Sequence, residues 1–120
     1  MAKLVVLITA QSETARDVGV AWKSAGAPGV TFLDGQGLQT LRQAAESMEI
    51  LSGTTSMLDI LRQTTTEVTV ALSVIQDDAL APELVRLTQS LLGDMDAPDK
   101  GILFVVNVEQ AFGVSRLPSD

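Results

Sequence analysis

GAPGVTFLDGQG, Gly26 to Gly37, sets a short apolar alternation, Val30-Thr31-Phe32-Leu33, between two groups of glycines. Glycine reaches backbone angles closed to other residues, so the chain is expected to turn sharply on both sides of a strand over Val30 to Asp34. A helix has to stop before this stretch. A long excursion has to begin after it, because the next convincing strand starts only near Glu67. Gly35 and Gly37 then act as the hinge between a fixed core and that excursion.

Working outward toward the N-terminus, Lys3 to Thr9 (KLVVLIT) is a nearly continuous β-branched run, the pattern of a strand buried on both faces. Leu4, Val6 and Ile8 share one face, and Val5 and Leu7 the other. Ser12 offers an N-cap, Glu13 suits the positive end of a helix, and Ala15, Val18, Trp22 and Ala25 recur at helical spacing. Gly26 ends that helix and Pro28 prevents its continuation. Trp22, on the apolar stripe, belongs to the core.

Working toward the C-terminus, Leu41, Ala44, Ala45, Met48 and Leu51 fit one helical face, Gly53 interrupts, and Met57, Leu58 and Leu61 fit a second short helix. The excursion, residues 39–66, is too apolar for a solvated linker and is expected to pack on something. Met48 and Met57 suit either packing or an adaptable contact surface. The clearest strand follows over Glu67 to Ile75: Val68, Val70, Leu72 and Val74 alternate with Thr69, Ala71 and Ser73, so one of its faces is core. Asp77 or Asp78 caps a second helix with Pro82 in its first turn and a stripe of Leu80, Leu84, Leu87 and Leu91; Gly93 ends it. Gly101 opens the last strand, Ile102 to Val108, with Ile102, Phe104, Val106 and Val108 on one face and Leu103 and Val105 on the other.

The order β-α-β-excursion-β-α-β predicts an α+β, ferredoxin-like fold: four antiparallel strands with both helices on one face of the sheet. At 120 residues the chain is read as a single domain. Two helices cover one side only. The first, second and fourth strands are apolar on both sides, so the second face is expected to be buried against other copies of the chain.

Composition removes several functional classes. No cysteine and no histidine are present, which takes away thiolate nucleophiles, imidazole bases and nearly all zinc, copper or haem ligation. Ser12, Ser47 and the run Thr64-Thr65-Thr66 therefore have no activating base, and no catalytic residue is assigned. A net charge of −7 with eight scattered Lys and Arg does not suit a phosphate-backbone footprint, and one Trp with no Tyr makes no stacking platform, so no nucleic-acid partner is expected. No apolar run is long enough to cross a bilayer, and no basic lead precedes an apolar stretch at the N-terminus; a cytoplasmic protein without membrane insertion is expected.

GAPGVTFLDGQGLQ resembles the second-strand segment of the P-II family of nitrogen regulatory signalling proteins, and GILFVVNVEQAF, with Asn107-Val108-Glu109, resembles that family's last core strand. The order and spacing of elements agree along nearly the whole chain. The resemblance implies a homotrimer of ferredoxin-like protomers that binds small effectors, usually adenine nucleotides, in clefts between subunits. It also implies a long loop that reaches a partner protein, here residues 39–66, and a role in nitrogen or carbon metabolism. Gly37 falls at the glycine that lies against the nucleotide, Leu38 at the usual Phe, and Gln39 where a second Gly stands. In the loop before the last strand, Asp94, Asp96 and Asp99 stand among residues that in the family hold phosphates, and they repel phosphate. Ile102 aligns with the family's phosphate-binding Lys, for which Lys100 substitutes if the loop shifts register. Gly113 and Ser115 occupy positions where the family has Arg, leaving Arg116 as the nearby cation. The ligand-binding candidates are thus Gly35, Gly37, Leu38, Gln39, Lys100, Gly101 and Arg116. An adenine nucleotide is the ligand implied, with most of its phosphate-binding residues replaced.

Other readings stay open. Gly35 and Gly37 serve a strand-closing turn as readily as a cleft. The three aspartates have the oxygen chemistry for Ca²⁺ or Mg²⁺, but they lack the glycine and terminal glutamate of an EF-hand loop and suit a solvated loop better. A structural trimer without an effector, a trimer that binds divalent cations weakly, and a small enzyme relying on Asp, Glu and Lys are the alternatives.

Overall fold

In the computed structural model, residues 1–38, 65–97 and 99–114 are described. Their order is β1 (Ala2–Thr9), α1 (Ser12–Ala25), β2 (Thr31–Leu38), β3 (Thr65–Ile75), α2 (Leu80–Leu92) and β4 (Ile102–Val108). The expected helices within 39–66 lie outside the described residues. The four strands form one antiparallel sheet in the order β2-β3-β1-β4, the ferredoxin-like arrangement. Both helices pack on the same side, where Val5, Leu7, Ala15, Val18, Trp22, Ala71, Ile75 and Leu84 make the core.

Local chemistry explains where the helices stop. Gly26 adopts φ 120° and its N–H, with that of Ala27, bonds to the carbonyls of Lys23 and Trp22, satisfying acceptors left open at the helix end. Gly93, at φ 90°, closes α2 with a bond to Gln89 O. The starts differ from expectation. Ser12 is the first residue of α1 and its Oγ accepts a hydrogen bond from Thr69 Oγ1 (2.8 Å), so the hydroxyl ties α1 to β3 while the capping position passes to Gln11. Before α2, Asp77 Oδ1 accepts the Ala79 N–H, and a turn intervenes, so the helix begins at Leu80 with Pro82 in its first turn.

α2 is also turned from the predicted stripe. Leu84 is buried, and Leu80 and Leu87 are partly buried against the core, but Leu91 is 45% exposed, while Ala81, Thr88 and Leu92 complete the buried side. The cause is Trp22. Its Nε1–H donates to Thr88 Oγ1 (3.0 Å) inside the interface between the helices, and the Thr88 hydroxyl donates to Leu84 O (2.7 Å). An indole N–H shut away from water needs such a partner, and the Thr88 hydroxyl supplies it.

The second correction concerns β2. Gly35 and Gly37 are not at a turn: they continue the strand, opposite Val68 and Thr66, and pairing persists to Leu38 opposite Thr65. Neither has a positive φ. The third strand is correspondingly longer at its start, taking in Thr65 and Thr66. The glycine pair thus belongs to the ladder and does not close the strand with a turn.

The register fixes the faces. Thr69, Ala71, Ser73 and Ile75 of β3 lie under the helices, fully buried, with the Ser73 hydroxyl donating to Gly29 O (2.6 Å). Val68, Val70, Leu72 and Val74 point to the other side. There they join Leu4, Val6 and Ile8 of β1, Leu33 of β2, and Ile102, Phe104 and Val106 of β4. Leu33 is 52% exposed, Phe104 39% and Val106 43%. This open apolar face is the one that the sequence predicts to be covered by other copies.

Candidate functional site

β2 ends, β3 begins, β1 ends and β4 begins at the same end of the sheet, so residues far apart in sequence meet there. Ile8, Thr9 and Ala10 come from the end of β1, and Gly37 and Leu38 from the end of β2. Thr66 and Val68 come from β3, and Asp99, Gly101 and Ile102 from the approach to β4. Together they line a cleft of about 330 Å³, a size suited to a small ring system. Its walls are mostly aliphatic.

Gly101 shapes this end. At φ 110° it brings the entry to β4 so close to β1 that an added Cβ would stand 2.1 Å from Ile8 O. No side chain fits. Asp99, two residues earlier, also has a left-handed backbone, φ 67°, uncommon for any residue but glycine, asparagine or aspartate. Its carbonyl accepts a bond from Gln11 Nε2 at 3.5 Å, which links the loop to the start of α1.

Of the predicted set, Gly37, Leu38 and Gly101 come together in this cleft. Gly35 does not join them. It borders a neighbouring groove of about 320 Å³ with Ser12, Asp34, Gln36 and Glu67, where the hydroxyls of Ser12 and Thr69 already bond to each other. Lys100 is not among the cleft residues. Its Nζ lies 3.5 Å from where a Cβ on Gly93 would be, at the C-terminal end of α2, where helix carbonyls favour a cation. Gln39 and Arg116 lie outside the described residues. Asp94 Oδ1 accepts the Asp96 N–H (3.0 Å), and among the described residues no three acidic side chains are grouped so as to hold a metal ion.

Sequence reasoning missed Ile8, Thr66, Val68 and Ile102 as cleft residues, and Asp99, read as part of a solvated loop, is exposed there but also lines the cleft. For the first four the available signal was alternation, which puts them on the open face but not at one end of it. For Asp99 it was the placement just before the strand-opening glycine.

No family model matches the chain, and no curated protein does. Among solved structures the fold is that of P-II-like proteins. The structure of GlnK from B. subtilis matches with a TM-score of 0.52 and 17% identity, covering 90% of this chain and 85% of that one. At that identity the likeness is one of fold.

Proposed function

We propose that this chain is a non-enzymatic, P-II-like regulatory protein of the cytoplasm, acting in nitrogen or carbon metabolism. In this reading it assembles as a homotrimer through the open sheet face, senses a small effector at the cleft containing Gly37, Leu38 and Gly101, and regulates a partner protein through residues 39–66. One observation carries the proposal. The P-II-like fold leaves an apolar sheet face uncovered, and three of the seven predicted effector residues, Gly37, Leu38 and Gly101, line a cleft at one end of the sheet. Gln39 is proposed to complete the site from the segment that follows Leu38, Arg116 to reach it from a neighbouring copy, since Val114 stands at the other end of the sheet with Gly29 and Thr31, and Lys100 to contribute only if its loop rearranges. Gly35 is proposed to act through β2, behind the cleft.

Binding would act by population shift, favouring one arrangement of residues 39–66 over another and so changing which partner is engaged. Sedimentation equilibrium is the primary test. A mass near three times 12.7 kDa is expected, and a monomer would remove the intersubunit cleft. Hydrogen exchange across residues 39–66, with and without ATP, cyclic AMP and small amines, tests the sensing step. A trimer whose protection pattern responds to none of them is a static assembly.

A further inference from the structure

We infer that the cleft between the end of β2 and the entry to β4 selects a small organic cation, an ammonium or amidinium carried on an apolar ring, in preference to a phosphate-bearing ligand. The inference rests on the proposal that this cleft is the sensing site and specifies what it senses.

The lining is the first ground. Ile8, Val68 and Ile102 offer aliphatic walls from the open face, Gly37 leaves the β2 side of that face without a side chain, and Asp99 is the charged residue among those lining the cleft. A flat ring against those walls leaves an attached charged group to meet a carboxylate. An anion there is repelled; a cation is attracted.

The positions of the cations are the second ground. Lys3 donates to Asn107 Oδ1, and Lys23 Nζ donates to Pro28 O (3.1 Å). Arg16 lies over the Phe32 ring, 5.3 Å from its centroid, Arg86 pairs with Glu83, and Lys100 stands beside Gly93. Among the described residues, then, no Lys or Arg lines the cleft. The net charge of −7 adds a field that draws cations toward the chain and slows anions.

The third ground is the backbone of Asp99. A left-handed φ at a non-glycine residue costs free energy and persists only where its surroundings impose it, and such residues concentrate at functional sites. Here the imposed conformation holds Asp99 at the rim of the cleft, exposed to solvent.

Three indoles of nearly the same shape isolate charge: tryptamine is a cation, tryptophol is neutral and indole-3-acetate is an anion. Titration calorimetry of the native chain with each, and with ATP as a fourth probe, should rank tryptamine first. The advantage of tryptamine over tryptophol should be up to about fivefold at low salt, the size of a solvent-accessible charge pair, and should shrink in high salt. Asp99→Asn removes the charge while keeping a side chain that tolerates the left-handed backbone, so the folded state should survive and tryptamine should fall to the level of tryptophol. Equal binding of tryptamine and tryptophol by the native chain would overturn the inference. So would a preference that persists in D99N. Tighter binding of ATP or indole-3-acetate would also overturn it while leaving the sensing site intact, whereas no heat from any of the four probes would remove both.

Discussion

The two sides of the β3 ribbon are built to different rules. Under the helices stand Thr69, Ala71, Ser73 and Ile75, three of them small and two of them hydroxyls, all buried. On the open side stand Val68, Val70, Leu72 and Val74, larger, wholly apolar and only partly covered. Burial and hydrophobicity have come apart. The helix-covered side is small because α1 lies directly across β3, and its two hydroxyls are affordable there because each has a partner, Ser12 Oγ for Thr69 and Gly29 O for Ser73. The open side has no such crowding within the protomer, so its aliphatic side chains fit a surface that a further molecule completes. Period-two alternation says that a strand has two different faces. Which face lies inside depends on what crosses it.

The most damaging substitution should fall on the covered side. Trp22→Ala removes the largest buried side chain and leaves Thr88 without its indole partner, so a loss of about 3–5 kcal/mol is expected in denaturant unfolding. A loss below about 1 kcal/mol would mean that the two helices are not joined through this residue. Next, Ala71→Leu and Leu72→Ala exchange sizes across one peptide bond. Overfilling the space beneath α1 should cost about 1–3 kcal/mol, whereas trimming a partly exposed side chain on the open face should cost an isolated protomer only about 1 kcal/mol. Equal losses would erase the distinction between the faces.

Val106→Glu probes the open face directly. The side chain is 43% exposed, so the protomer should keep its far-ultraviolet circular dichroism and lose about 1 kcal/mol. If the face is an interface between copies, a carboxylate buried there without a partner should lower the sedimenting mass toward that of one chain. An oligomer of unchanged mass would place the interface elsewhere.

Most of the architecture was legible because its signals are local. The stops at Gly26 and Gly93, the buried Trp22, the strand opened by Gly101 and the split β-α-β order each follow from a few neighbouring residues, and the structure has all of them. What was not legible depends on partners distant in sequence. The buried side of α2 is set by an indole on α1, some 66 residues away. The cleft was half visible: Gly37, Leu38 and Gly101 were found through a family-like pattern, but Ile8 and Asp99 join them only through the sheet register and a loop conformation.

The smallest effect concerns the stretch that looked most like a turn. Gly35 and Gly101 are both glycines at the edge of the cleft region, but they are there for opposite reasons. Gly101 has φ 110° and no space for a Cβ, so alanine there must displace the β1 backbone. Gly35 lies in a regular ladder opposite Val68, and an added Cβ would find its nearest neighbour, Val68 Cγ2, at 3.7 Å, an ordinary contact. Glycine inside a strand carries a larger loss of backbone entropy on folding than alanine does, by about 0.5–1 kcal/mol. Gly35→Ala should therefore leave stability unchanged or raise it by up to about that amount in thermal unfolding. Destabilisation beyond about 1 kcal/mol would restore a turn at Gly35 and return the hinge to the glycine pair. If alanine is accepted, β2 is a continuous strand through both glycines, and any movement that links the cleft to residues 39–66 has to begin after Leu38.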